Sequence, residues 1–112
     1  MRQVNLNWRL TLEERQRVAD GAGGFSDTWV VLGQLWGDVQ SRTGLASEVA
    51  GGTTSRVRHR IVVRGAAEGA PERPKTGQRF RNGSRIYVVD SVSELDATGI
   101  YLVCWTREEV LS

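Results

Sequence analysis

The stretch that most constrains the fold of this chain is residues 78–92, which centre on the dipeptide Asn82-Gly83. Asn-Gly is well suited to a two-residue type I′ turn, because that turn needs positive φ at both central residues. Aromatic and β-branched residues flank the pair, which predicts a β-hairpin. The alternation of its second strand predicts two faces, one with Ile86, Val88 and Val92, the other with Tyr87 and Val89.

Four further segments show the alternation of a β-strand: residues 6–12, 28–40, 56–64 and 100–105. Residues 13–19 could form one helical turn, and nothing sustains a helix beyond it. Two irregular stretches, 41–55 and 65–77, are expected to be long loops, and the charged run 107–109 is expected to be a solvated tail. About six strands without a helix of standard length favour an all-β domain over residues 1–112, predicted to be a small antiparallel β-barrel with a sandwich as the alternative.

The segment 28–40 is apolar on both faces. One predicted face carries Trp29, Val31, Leu35 and Val39, and the other carries Val30, Leu32 and Trp36. Gly33 and Gly37 are expected to mark bends or close backbone approach. A strand of this kind is typical of a small barrel, or of a sheet in which a partner buries the second face of the strand.

Arginines dominate one face of the segment 56–64. The opposite, apolar face holds Val57, His59, Ile61 and Val63, and the charged face holds Arg56, Arg58, Arg60 and Arg64. Such a row can follow a phosphate backbone, pair with acidic groups of a neighbouring subunit, or simply keep the outer face of a strand wet. The net charge of +2 is small for a sequence-independent nucleic-acid binder.

Residue types that carry catalysis are scarce. The chain has one histidine, His59, and one cysteine, Cys104, both at apolar strand positions. A Cys–His dyad across a sheet is conceivable, but no oxyanion-hole motif accompanies it, so a core histidine and an inert thiol are favoured. No spacing of a metal site or a phosphate-binding loop is present, and the chain is predicted not to be an enzyme and to use no cofactor. No signal peptide or transmembrane helix is visible, so a reducing cytoplasm is the default.

The chain contains, in this order, the strand 6–12, Gly23-Gly24, Trp29, the run 35–39, Thr43-Gly44, the run 59–64, the run 77–79, the run 87–92, Asp96 and the run 102–104. The order and spacing of these segments resemble the head–tail joining proteins (head closure proteins, or stoppers) of long-tailed phages and gene transfer agents. Two departures occur: a usual Arg-Tyr-Arg is shortened to Arg64-Gly65, and Trp105-Thr106 follows the last cysteine in place of acidic residues.

The resemblance implies a small β-barrel that assembles as a ring of about six subunits, or about twelve, in the virion neck. The ring would contact the portal and adaptor on the head side, the tail terminator on the tail side, and packaged DNA in its channel. Assembly would take place in the cytoplasm of the bacterial host, without a membrane and without covalent chemistry. A small β-barrel that binds nucleic acid is the alternative, suggested by the arginine and tryptophan content.

Two sets of residues are the candidate sites. The predicted interface consists of Arg56, Arg58, Arg60, Arg64 and Trp36. The predicted channel loop lies within residues 41–55 and contains Gly44, Glu48, Gly51, Gly52 and Thr53. We expect this loop to be disordered in the isolated subunit and to obstruct DNA in the ring, with padding of the outer surface or contact with the adaptor as the alternative.

Overall fold

The computed structural model describes residues 3–43, 48–49, 52–53 and 57–109, which form eight β-strands and no helix. The strands are β1 (Trp8–Ala19), β2 (Phe25–Thr43), β3 (Glu48–Val49), β4 (Gly52–Thr53), β5 (Val57–Arg64), β6 (Arg79–Asn82), β7 (Arg85–Glu94) and β8 (Tyr101–Glu109). Within the described ranges, no helix is long and apolar enough to cross a membrane.

Six of the strands close into one barrel in the order β1-β2-β5-β8-β7-β6, and β6 pairs with β1 to complete it. Every neighbouring pair is antiparallel. Strands β3 and β4 form a separate two-stranded sheet in the connection from β2 to β5. The predicted all-β fold, a small antiparallel barrel of six strands, is confirmed.

The barrel interior is filled by inward-facing side chains from five of the six barrel strands. These fully buried residues are Leu10, Leu12, Ile61, Val63, Phe80, Tyr87, Val89, Leu102 and Cys104. Burial of each large aliphatic side chain contributes about 1.5–3 kcal/mol, so this cluster supplies the main stabilisation of the fold. It is also the framework that fixes which residues point outward.

The β1–β2 pair extends further than the sequence predicted. Residues 13–19 continue β1 as a strand, so the expected helical turn is wrong; they pair with residues 25–31 at the start of β2. The Asp20 carboxylate accepts hydrogen bonds from the backbone N–H groups of Ala22 (2.8 Å) and Gly24 (3.0 Å), which closes the connection between the strands. Cross-strand pairing and this turn override the local helical pattern.

A β-bulge in β2 changes which side chains reach the core. The register passes from Leu12–Gly33 to Glu13–Val31, so Leu32 is an extra residue without a ladder partner. Leu32 therefore packs against the core, while Val31 is 54% exposed. The predicted grouping of Val31 with the core-facing residues of β2 is wrong, because a bulge reverses the alternation.

A second bulge has the same effect in β7. Val89 pairs with Thr106 and Ser91 pairs with Trp105, which leaves Asp90 as the extra residue. Val92 consequently packs against the core, on the side of Val89, and not on the predicted face.

The predicted hairpin is present, but its turn differs. Asn82 pairs with Arg85, so the central residues are Gly83 and Ser84. Gly83 has φ of 61°, whereas no residue other than glycine has positive φ among those described. This matches a type II′ turn, with glycine at the first central position, and not the predicted type I′ turn. The Asn82 amide instead donates to the Arg9 carbonyl oxygen at 3.2 Å, which joins β6 to β1.

Gly37 lies where β2 changes partners, because it pairs with Trp8 of β1 and with Val63 of β5. A Cβ atom at this position would lie 2.7 Å from Leu10 Cδ1 and 3.3 Å from Ile61 Cγ2. The predicted close approach is confirmed at Gly37. At Gly33, next to the bulge, a Cβ would meet no atom within 4 Å.

Among the described residues, the predicted loops and the chain end contain more strand and more buried structure than the sequence pattern indicated. Strand β2 includes residues 41–43, and β3 and β4 occupy part of the remainder of the loop 41–55. In the loop 65–77, Arg73 Nη1 donates to the Ala66 carbonyl at 2.9 Å, and Pro74 is fully buried. Residues 107–109, expected to form a solvated tail, belong to β8.

Candidate protein interface

The arginine row of β5 lies on the outer face of the barrel. Arg58 and Arg64 are exposed and Arg60 is half-buried, while His59, Ile61 and Val63 between them are buried. The predicted alternation is therefore confirmed over residues 58–64. Arg56 lies outside the described residues.

Arg58 is part of a depression on the outer face of β5, β8 and β7. It stands directly opposite Arg107 of β8, and Arg107 Nε lies 3.2 Å from Asp90 Oδ1 at the β7 bulge. We call this depression of about 570 Å³ the Trp105 groove. It is lined by Arg58, Asp90, Ser91, Trp105, Thr106 and Arg107.

Trp105 is 37% exposed and forms a wall of this groove. It also borders a second depression of about 420 Å³, which is lined by Arg60, Ser93, Glu94, Leu95, Val103 and Trp105. The two depressions thus share the Trp105 indole.

Arg60, in the middle of the row, is held by a chain of hydrogen bonds. Arg60 Nη1 donates to Gln40 Oε1 at 3.3 Å, and Gln40 Nε2 donates to Asp38 Oδ2 at 3.1 Å. The same Asp38 oxygen accepts the backbone N–H of Asn5 at 3.2 Å. Because Gln40 and Asp38 are buried, Arg60 is less available to a partner than Arg58.

Arg64 and Trp36 lie at the opposite end of the β5 row. Gly37 pairs with Val63, so Trp36 and Arg64 follow directly beyond this end of the β2–β5 ladder. Trp36 is 55% exposed and pairs with Arg9 of β1. Arg64 lies six positions after Arg58 along the strand, a distance of roughly 20 Å. The predicted interface residues therefore belong to two ends of the barrel and not to one patch.

Part of the predicted channel loop forms the β3–β4 hairpin. Glu48 pairs with Thr53, and Val49 pairs with Gly52. Gly44 and Gly51 lie outside the described residues. The role of these residues in a channel stays a prediction.

His59 is buried at one end of the barrel interior, in a polar cluster that joins four strands. Its Nε2 lies 2.9 Å from Glu108 Oε1, and its Nδ1 lies 3.4 Å from Ser41 Oγ. Arg85 donates hydrogen bonds to both Glu108 oxygens, from Nε to Oε2 at 2.8 Å and from Nη2 to Oε1 at 2.9 Å. The hydrogen bonds from Arg85, with a smaller contribution from His59, hold the pKa of Glu108 below its ordinary value. The predicted core histidine is present, with side chains as the ring's partners.

Two buried groups ionise less readily than usual, in contrast to Glu108. Burial raises the pKa of the Cys104 thiol to about 12, so the thiolate needed for nucleophilic chemistry is essentially absent at neutral pH. Desolvation likewise raises the pKa of Tyr87, whose ring edge packs against His59 with centroids 4.9 Å apart. The inert-thiol interpretation agrees with this environment.

Sequence reasoning missed the contribution of β8 to the outer surface. Trp105 and Arg107 alternate with Thr106 and Glu108, and this period-two signal was present in the sequence. The signal is weak because the charged run 107–109 also fits a solvated tail. The proximity of Arg107 to Arg58 depends on strand register, which no local pattern contains.

The fold and its surface define a small β-barrel with exposed arginine and tryptophan side chains on β5 and on the strands that flank it. The family model for phage head completion proteins matches residues 1–109, and the chain belongs to this family.

Two solved structures are similar over 100% of this chain and 100% of theirs. A chain from the virion of a native gene transfer agent particle shares 42% sequence identity with a TM-score of 0.79. Protein SF1141 from Shigella flexneri 2a shares 19% identity with a TM-score of 0.68, which shows a common fold alone. The comparison with curated proteins found no match. The chain is thus a virion structural protein of the head completion class, and the resemblance read from the sequence is confirmed.

Proposed function

We propose that this chain is a ring subunit in the neck of a tailed phage or gene transfer agent, where it joins the DNA-filled head to the tail and closes the DNA channel. The observation that carries the proposal is the full-length similarity, at 42% identity, to a chain of a gene transfer agent virion. The ring contains about six copies, or about twelve. Its partners are the portal and adaptor on the head side, the tail terminator on the tail side, and packaged DNA in the channel.

The placement of the arginines supports a subunit with two contact regions. Arg58 lies beside Trp105, and Arg64 follows the β2–β5 ladder beside Trp36. Tryptophan and arginine are the residue types that most often dominate binding energy in protein interfaces. Two contact regions whose arginines are roughly 20 Å apart along one strand suit a protein that bridges two neighbours.

The connection that contains β3 and β4 supports the channel-closing part of the proposal. Strands β2 and β5 are antiparallel neighbours, and Thr43 pairs with Val57. Antiparallel neighbours can be joined by a two-residue turn, so the fold does not require the long connection between them. A connection that the fold does not need is available for a function in the ring.

A deletion of the gene, complemented by variants, tests the joining function. We expect the deletion to give separate DNA-filled heads and free tails in electron micrographs, and the wild-type gene to restore joined particles. Arg58→Glu with Arg64→Glu, both at exposed positions of β5, should fold normally but fail to restore joining. Lys75→Glu with Arg17→Glu, both at exposed positions, is the charge-matched control. Normal yields of joined particles from the deletion strain would refute the proposed function.

A further inference from the structure

We propose that the Trp105 groove is the docking site for an acidic peptide segment of an adjoining neck protein, with an aliphatic side chain next to its carboxylates. The inference rests on the proposed function and deepens it. It names the surface that makes one contact and the chemistry of the partner that fits it.

The charge arrangement of the groove indicates an anionic partner. Arg58 and Arg107 stand directly opposite each other across β5 and β8, and like charges in that position destabilise a sheet. Asp90 is the one acidic residue among those that line the groove, and its bond to Arg107 is half exposed at both ends. The groove therefore carries an excess positive charge that partner carboxylates would neutralise, by the paired hydrogen bonds that guanidinium groups form.

The indole beside these arginines, two residues along β8 from Arg107 and opposite Arg60, supplies the apolar part of the site. Trp105 pairs with Ser91 across β7, and its neighbour Val103 pairs with Ser93. These small serine side chains leave space beside the indole, and the two depressions lie there. An aliphatic side chain inserted beside a partly exposed tryptophan and ringed by charged contacts has the anatomy of an interface hot spot.

The same residues favour carboxylates over a nucleic-acid backbone. Asp90 lies inside the groove, and Glu94 lines the adjoining depression on the other side of Trp105. A phosphate backbone presents closely spaced negative charges and would meet both carboxylates along its path. A peptide can place its acidic residues opposite Arg58 and Arg107 and an uncharged residue opposite Trp105.

A joining assay in vitro tests the groove. DNA-filled heads from cells that lack the gene are mixed with tails and the purified full-length protein, and joined particles are counted. We expect Trp105→Ser and Arg107→Gln each to lower joining by about tenfold or more while the circular dichroism spectrum is unchanged. Phe25→Ser and Arg17→Gln are the matched controls, because Phe25 is a 65% exposed aromatic whose ring lies 5.5 Å from the Arg17 guanidinium, far along β1 and β2 from the groove.

The outcomes separate the two proposals. If wild-type protein does not restore joining, the proposed function fails. If wild-type protein restores joining and the Trp105 and Arg107 variants restore it equally well, the groove proposal fails and the neck function stands.

A titration of the wild-type protein followed by nuclear magnetic resonance tests the partner's chemistry. The probes are the blocked peptide Asp-Glu-Leu-Asp-Glu, the same peptide with serine in place of leucine, and duplex DNA of about 12 base pairs. We expect the leucine peptide to shift the Trp105 indole N–H and the Nε–H signals of Arg58 and Arg107, and the serine peptide to bind at least about fivefold more weakly. No shift with the leucine peptide would overturn the assignment, and shifts with DNA alone would reassign the groove to nucleic acid.

Discussion

Glu108 is the residue on which the polar end of the barrel depends. It is on β8 and bonds His59 of β5 and Arg85 of β7, so one carboxylate connects three strands. Its side chain is largely buried beside the buried His59 ring. A neutral amide in its place would still offer His59 Nε2 a hydrogen-bond partner, but it would lose the charge-assisted hydrogen bonds that the carboxylate accepts from Arg85.

Glu108→Gln should lower the free energy of unfolding by about 1–3 kcal/mol at pH 7. The pKa of Glu108 is lowered in the folded protein, chiefly by the Arg85 hydrogen bonds, so this stabilisation is present above the unfolded-state value of 4.5 and is lost as the pH falls through the folded pKa. Urea unfolding at a series of pH values should therefore show the wild type and variant converging in acid. Glu109→Gln, at an exposed position of the same strand, is the control; a pH-independent difference for Glu108→Gln would contradict the prediction.

Glycine is required at position 65 because the backbone of Gly99 approaches it closely. A Cβ at this position would collide with the Gly99 carbonyl oxygen, and the Gly65 N–H donates to the Ile100 carbonyl at 2.7 Å. Because the obstacle is backbone, Gly65→Ala should lower the free energy of unfolding by about 1–3 kcal/mol in urea titrations. Gly33→Ala, where a Cβ meets no atom within 4 Å, should be neutral or slightly stabilising. Equal effects of the two substitutions would refute the argument.

At the scale of elements, the connection from β2 to β5 can be changed to test the proposed channel closing without unfolding the barrel. The strands on either side of it pair with each other directly, and β3 with β4 form their own sheet. Shortening the connection should therefore leave the barrel intact, because a shorter loop has a slightly smaller entropic cost of closure.

Deletion of about six residues around Gly51 tests whether this connection closes the channel. If it does, the variant should be stable and should join heads to tails, but the filled heads should lose DNA. Nuclease sensitivity of packaged DNA, measured on purified particles, reports the loss. Particles that retain their DNA and infect or transduce normally would instead indicate a loop that pads the surface or contacts the adaptor.

At the scale of the whole molecule, the barrel is complete within one chain. Closure of β6 onto β1 pairs the barrel without a neighbour's strand, and the core is filled by the chain's own residues. The exposed large apolar side chains are few and separated along the chain; they are Val18, Phe25, Val31, Trp36, Ile100 and Trp105 among the described residues. A subunit of this kind should fold alone and associate only where other neck proteins hold it in place.

The purified protein should be largely monomeric in analytical ultracentrifugation and should form a ring when the adaptor is added. Cryo-electron microscopy of complete particles should show that ring in the neck. A stable ring of purified protein without the adaptor would contradict the first expectation. One isolated copy in the neck, or none, would contradict the second.

The strands were predictable because the alternation of apolar and polar residues is a local pattern that can be seen within each segment of the sequence. Hairpin β6–β7, the buried face of β5 and the arginine face opposite it all follow from that period. The errors occur where pairing with another strand decides. Leu32 and Asp90 are bulged residues that reverse the faces after them, and Asn82 ends β6 and bonds Arg9 instead of occupying the turn.

The sequence by itself determined the class of fold, the outward arginines of β5 and the resemblance to proteins of the virion neck, because each depends on residue types at short spacing. Tertiary structure decided that Trp36 lies beside Arg64 at one end of β5 and that Arg58 meets Arg107 and Trp105 in one groove. Residues 58 and 107 are far apart in the chain, and their register depends on the order in which six strands close the barrel. That order minimises exposed strand edges and fills one common core, which is a property of the whole chain and of no single segment.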